Sequence, residues 1–403
     1  MKSRGGSFLP TADYDLTGLW NFRTAPTIGA PADPVATLRQ TGAVNALTFG
    51  AVGDGVADDT AAILALRNAA VATGRAAVFP AGTYRYTTSP NWGVAGLQVE
   101  GRGPVLWQHT GTGPACLVDG GINGLSGVTL RNLTIQGNVN STHGVQVTKV
   151  WRSIFDNLRV QGCAPTGSAF FGTFNVCNHF LNCKVLAAAN MPAHGIYFAD
   201  ANCSANVITN PIVEGLTGSG LKFATGAAQT TVIGGTAESN AIGIDLAFNA
   251  CRHVFVGIDL EGNATADVLC AGNYNSFVGV LAYSAGPLVH LTTGANFNVF
   301  TGGIYQSITI DAGAFGSVLL GVGFGFSVGG VFTDNGTNTQ ALGVWNVNSA
   351  IPATNRLQTT SLAGNVGFYG VTPIARALLA TGAGRTVDDV ITAIQNLGLV
   401  RQS

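Results

Sequence analysis

Between Gly124 and Ser307, short runs of alternating inward apolar and outward polar positions return about every 23 residues. Successive copies are Leu133-Thr134-Ile135-Gln136, Leu158-Arg159-Val160-Gln161, Cys183-Lys184-Val185-Leu186, Pro211-Ile212-Val213-Glu214, Gly235-Thr236-Ala237-Glu238, Ile258-Asp259-Leu260-Glu261 and Val280-Leu281-Ala282-Tyr283. The last outward position falls at 136, 161, 186, 214, 238, 261 and 283, and a glycine keeps the same beat at Gly234, Gly257, Gly279 and Gly302. Period-2 alternation inside a fixed longer repeat specifies a solenoid of stacked strands, because one run alone cannot bury its apolar side. Stacked strands lie about 4.8 Å apart, so Glu214, Glu238 and Glu261 are expected to form a ladder on one face. A ladder of like charges is unfavourable and asks for a reason.

Composition agrees with an all-β solenoid. The chain has 403 residues, 56 of them glycine, with only 10% charged residues and a formal net charge of −1. Glycine supplies the corners and the rungs supply the apolar stripe. No Lys/Arg run is present, which argues against nucleic acid or an anionic membrane surface as partner. Val318 to Phe332 is free of charge but alternates and is too short for a membrane span, so it reads as further rungs. The seven cysteines show no metal-ligand spacing and read as free, mostly buried thiols. Met1-Lys2-Ser3-Arg4 leads into no apolar h-region, so no signal peptide is expected and the chain is made in the cytoplasm.

The pattern divides the chain into four parts. Residues 1–40 hold Pro10, Pro26, Pro31 and Pro34 with little periodicity and read as an extended arm. In 41–100, Asp58-Asp59-Thr60 precedes the apolar series Ala61, Ile63, Leu64, Leu66, Ala69 and Ala70 and ends near Gly74, the signature of a capped helix. The solenoid body is expected over 101–347. In 348–403, Thr386-Val387-Asp388-Asp389 is a capping box opening a short helix, whose stripe Val387, Val390, Ile391, Ile394 and Leu397 would cap the solenoid or join copies.

Phe49-Gly50-Ala51-Val52-Gly53-Asp54-Gly55-Val56-Ala57-Asp58-Asp59-Thr60, followed by Phe79-Pro80-Ala81-Gly82-Thr83-Tyr84, resembles the start of the pectate-lyase-superfamily right-handed parallel β-helices of polygalacturonase-like enzymes and phage tailspikes. The resemblance implies that Asp54, Asp58 and Asp59 are structural, capping the helix that plugs the N-terminal end and tying down its loop. Tyr14-Asp15-Leu16-Thr17-Gly18-Leu19-Trp20-Asn21-Phe22 is similar to lead-in segments of phage tail fibres. Gly367-Phe368-Tyr369-Gly370-Val371-Thr372-Pro373 and Ile394-Gln395-Asn396-Leu397-Gly398-Leu399-Val400 are similar to C-terminal segments of phage structural proteins. Together they imply a virion tail protein that is a homotrimer, joined to other tail proteins through residues 1–40, and that binds and often cleaves host surface polysaccharide.

Polysaccharide hydrolysis needs one protonated and one ionised carboxyl, about 5 Å apart for retention and about 6.5–9.5 Å for inversion. Glu238 and Glu261 on neighbouring rungs suit the first distance, and Glu214 with Glu261 the second. Asp259, two residues before Glu261 on the same face, and Glu214 one rung below complete the candidate catalytic set. Gln136 and Gln161 offer hydrogen bonds to sugar, Tyr283 a stacking face, and Arg159 and Lys184 a charge for an acidic glycan. The same column also fits solvated surface acids, a calcium site or a trimer contact. No Asp-rich calcium repeat accompanies it, and neither metal nor cofactor is expected. The nearest chemical rival is a lyase with His194 as base and Tyr197 as acid, or with Lys184 or Arg159 as the base. The nearest rival of another class is a β-helical fibre that binds glycan without cleaving it. The remaining histidines read as surface or turn residues, and Trp107, Trp151 and Trp345 as core or interface.

Overall fold

A computed structural model describes residues 42–284, 288–325 and 331–346; the arm over 1–40 and the C-terminal helix expected near 386 lie outside these residues. The described chain is a right-handed parallel β-helix with one α-helix. One coil shows the plan. His179–Leu181 is followed by a bend at Asn182, then Lys184–Leu186, then a loop to His194–Phe198. Strands equivalent to these stack as a first, second and third face. The first two join into one 22-stranded sheet, and the third forms a 10-stranded sheet. Among the described residues, equivalent strands of successive coils pair in parallel, as in His179↔Val207 and Val207↔Thr231.

The bend between the first and second faces explains the glycine beat. Asn132, Asn157, Asn182 and Asn210 occupy it with φ between 48° and 59°, and Gly234, Gly257, Gly279 and Gly302 follow with φ of 60–61°. Asparagine and glycine are the residues that enter the left-handed region at least cost. A Cβ on those four glycines would meet nothing within 4 Å, so conformation rather than crowding selects them.

Inside, the first face stacks apolar side chains along the axis, and where successive rungs carry phenylalanine the rings stack. Phe155 lies 4.9 Å from Phe180, Phe255 lies 5.1 Å from Phe277, and Phe277 lies 4.6 Å from Phe300, all stacked. These separations equal the strand spacing, so the repeat forces ring on ring. A second internal ladder was not legible from periodicity. Buried Asn178, Asn206, Asn275 and Asn298 each accept the backbone N–H of the rung below, from Ser153, Asn178, His253 and Asn275, at 2.9–3.0 Å. Their amides donate to the Val150, Asn175, Ala250 and Gly272 carbonyls at 2.7–3.2 Å. His253 replaces one asparagine. Its Nδ1 accepts the Thr230 N–H at 3.2 Å, Nε2 sits 3.0 Å from the Ala227 carbonyl, and burial pushes its pKa down to about 4. His253 and His109 are therefore interior groups rather than surface ones.

The N-terminal end is plugged. Helix α1 (Thr60–Thr73) buries Ala62, Ile63, Leu66 and Ala70, while Ala61 and Leu64 face solvent. Asp58 Oδ1 accepts the Thr60 N–H at 3.0 Å, and Gly74, at φ 64°, closes the C-terminus. Asp59 does not cap the helix; its carboxylate accepts the Val52 and Gly53 N–H groups at 2.7 and 3.2 Å and holds the loop. Asp54 accepts the Val56 and Ala57 N–H groups, both at 2.8 Å. Beneath lie Phe79, Trp92 and Trp107, with the two indoles stacked at 5.2 Å.

Candidate functional site

The second face sets the register of the acids. Glu214 pairs with Glu238, Thr236 with Asp259, and Asp259 with Leu281. Glu261 follows the strand Asp259–Leu260, and its carbonyl accepts the Ser239 N–H at 2.8 Å, as the Glu238 carbonyl accepts that of Gly215 at 3.1 Å. The column therefore continues unbroken from Glu214 through Glu238 and Glu261 to Tyr283.

The chain just past each of these residues is pinned inside. Buried Asn240 follows Glu238, buried Asn263 follows Glu261, and buried Ser284 follows Tyr283. Asn240 accepts the Leu216 N–H, Asn263 that of Asn240, and Ser284 Oγ that of Asn263, at 3.0–3.1 Å. Asp267, almost wholly buried, accepts the Asn263 amide at 2.8 Å, the Ser284 N–H at 3.2 Å and the Ser284 hydroxyl. Burial raises its pKa. Sequence reading missed this support, whose one signal is Asn and Ser standing two residues, two residues and one residue after the acids and the tyrosine.

Glu238, Asp259 and Glu261 each bring an oxygen within 4.8 Å of the other two. Tyr283 Oη donates to Glu261 Oε2 at 2.8 Å, and that bond is the main reason its own phenol is pushed up to about 12. Glu238 is raised by partial desolvation and then by the charges of Glu214, Asp259 and Glu261. Asp259 is raised by desolvation and by Glu261, and its enclosed Oδ1 has no hydrogen-bond partner among the described residues. Glu214 stays outside the triad, its Oε1 accepting the Thr236 hydroxyl at 3.1 Å. The arrangement can hold one shared proton among close carboxyls, or offer three ligands to a divalent cation.

The other site candidates share the face without joining the cluster. Gln136 pairs with Gln161 and Arg159 with Lys184. Lys184 pairs with Ile212, which pairs with Thr236 and so with Asp259, placing the cation two rungs, about 10 Å, from the level of Glu238 and three rungs, about 14 Å, from that of Asp259. His194 and Tyr197 lie on the third face, with rings 5.4 Å apart. His194 Nδ1 accepts the Ser219 N–H at 3.0 Å, and burial pushes its pKa down to about 4. That tautomer carries its proton on Nε2 and has no free lone pair for a base. A depression of about 270 Å³ lined by Trp151, Arg152, Phe174, Val176 and Cys177 sits on the corner before the first face, away from the acids.

Residues 43–91 match the family described as rhamnogalacturonase A/epimerase, pectate lyase-like. Mannuronan C5-epimerase AlgE2 of Azotobacter vinelandii is 34% identical over 113 residues, 25% of this chain and 11% of that protein. The match thus spans only a small part of that relative's length. Among solved structures, the A-module of mannuronan C-5 epimerase AlgE4 from Azotobacter vinelandii shares 17% identity at TM-score 0.46, covering 74% of this chain and 96% of the other. The Dettilon tailspike protein shares 16% at TM-score 0.48, covering 76% and 68%. No helix of the described residues is long and apolar enough to cross a membrane. The chain is a right-handed parallel β-helix whose N-terminal cap and first rungs are pectate-lyase-like.

Proposed function

We propose that the chain is a phage tailspike or tail fibre that binds host cell-surface polysaccharide and cleaves it by glycoside hydrolysis. In this reading it works as a homotrimer and joins other tail proteins through residues 1–40. The observation that carries the chemistry is the convergence of Glu238, Asp259 and Glu261 within 4.8 Å, with the Tyr283 hydroxyl on Glu261. Glu238, whose pKa is raised by burial and by its acidic neighbours, is the proton donor to the glycosidic oxygen. Glu261, oriented by Tyr283, attacks the anomeric carbon as that bond breaks and becomes the glycosyl ester. Glu238, now ionised, takes a proton from the water that hydrolyses the ester. The close spacing favours this retaining course over the wider separation of about 6.5–9.5 Å that leaves room for an inverting water. Asp259 keeps the shared proton within the cluster, and the Gln136, Gln161, Arg159 and Lys184 side of the face receives the glycan further along.

Glu238→Gln and Glu261→Gln test the assignment. Each is expected to lower cleavage by about 100-fold or more while glycan binding and oligomeric mass persist. Unchanged cleavage in both variants removes these residues from the mechanism. The exposure of Glu214 and Glu261 on an open face favours a second reading, a fibre that adsorbs without cleaving. Binding without any product from the wild-type protein would select it.

A further inference from the structure

The outward side chains of the first face change character along the axis. Its early rungs carry Glu100, Arg131, Asp156 and His179, with Arg131 3.4 Å from Glu100. From the rung Thr231–Ile233 to the rung Gln340–Leu342, no outward residue is charged, and Ile233, Val254, Val256, Val278, Val299 and Leu320 dominate. The edges change with the face, the entering one later than the strands. On the edge entering the face, Arg152, Cys177, Ala205, Gln229 and the exposed Arg252 give way to Tyr274 and Phe297, with Phe315 one residue before the corresponding Gly316; the three rings are 54%, 41% and 38% exposed. Tyr274 and Phe297 stack at 5.1 Å, and Phe315 meets Phe297 edge-on at 5.4 Å. On the edge leaving it, the asparagines of the bend give way to Gly257, Gly279, Gly302 and Gly321, which present no side chain and have open space outside.

Solvent exposure alone gives no reason for one face to lose its charge, clear one edge and raise aromatic knobs on the other. We propose that this face joins parallel copies of the chain, the Tyr274–Phe297–Phe315 edge of one copy seating on the glycine edge of the next. The occupant must be straight, uncharged opposite the strand positions and repeat every rung for six rungs, about 29 Å. A copy in the same register meets all three requirements. From one edge to the other is about 17 Å, so in a ring each copy offers roughly 500 Å² of flat area, shared between its two neighbours, before side-chain relief is counted. A knob-to-groove contact is heterologous, and the smallest ring it closes has three members. The inference rests on the homotrimer of the proposed function and is independent of the chemistry at Glu238.

The test uses the full chain carrying Gly257→Asn and Gly279→Asn together, and separately Tyr274→Ser. Asparagine already holds this bend at Asn182 and Asn210, so the double variant adds side chains outside without changing the fold. Sedimentation should find a trimer for the wild type, at least tenfold weaker association for both variants, and unchanged circular dichroism. Hydroxyl-radical oxidation of Tyr274 and Phe297 should be slow in the wild type and faster in the glycine variant. A monomeric wild type, unchanged mass in both variants, or equal oxidation rates would overturn the proposal. Glycan cleavage by the same samples reports on the proposed function separately.

Discussion

Two faces of the same rungs, separated by one bend residue, carry opposite chemistry. The second face stacks Glu214, Glu238 and Glu261, while the first face, on the rungs of Glu238 and Glu261, shows Thr231, Ile233, Val254 and Val256. Both share one interior and one asparagine or glycine bend. The coil's construction therefore does not choose what either face displays. A parallel stack repeats whatever its outward position holds, so repulsion on one face and exposed apolar area on the other both accumulate rung by rung. Each ladder is costly in water, which is the physical reason to assign each a ligand: glycan for the acids, a second copy for the valines.

The largest expected effect removes both faces together. Phe277→Ala takes one ring from between Phe255 and Phe300 and should cost about 3–5 kcal/mol in denaturant unfolding, with cleavage and association falling in parallel. Loss of one property alone would show that the faces do not depend on the shared core. Asn275→Ala attacks the same rung through its ladder and leaves the buried His253 N–H without its acceptor, at a cost of about 1–3 kcal/mol.

The smallest effect separates the faces. The folded pKa values of Glu238 and Asp259 are raised above the ordinary carboxylate range, so the folded state binds protons more readily than the unfolded chain. Their stabilising contribution is full below the ordinary range and is lost as pH rises through the raised values. Glu238→Gln should accordingly raise the melting temperature slightly at pH 7 and leave it unchanged near pH 3, while Val256→Gln should show no such pH dependence. Equal pH profiles for the two variants would remove the electrostatic contrast.

Much of this was legible in the chain itself. The recurrence of Glu214, Glu238 and Glu261 at one outward position is enough to place them on one ladder, and Asp259 follows from period 2. That Glu214 stands apart was not legible, because it depends on where the Thr236 hydroxyl points. The internal ladder through Asn178, Asn206, Asn275 and Asn298 was hidden because asparagine beside a strand normally reads as a solvated turn. The charge-free face was hidden for another reason. Valine and threonine fit any half-buried strand, and only the paired register shows that their outward positions align.

Product analysis after incubating the wild-type protein with bacterial surface polysaccharides tests the central claim most directly. Hydrolysis at the acid face predicts new reducing ends on saturated oligosaccharides whose first-formed anomer is retained. Unsaturated, ultraviolet-absorbing products would contradict it and indicate elimination instead, and binding without products would leave the acid face without a catalytic role.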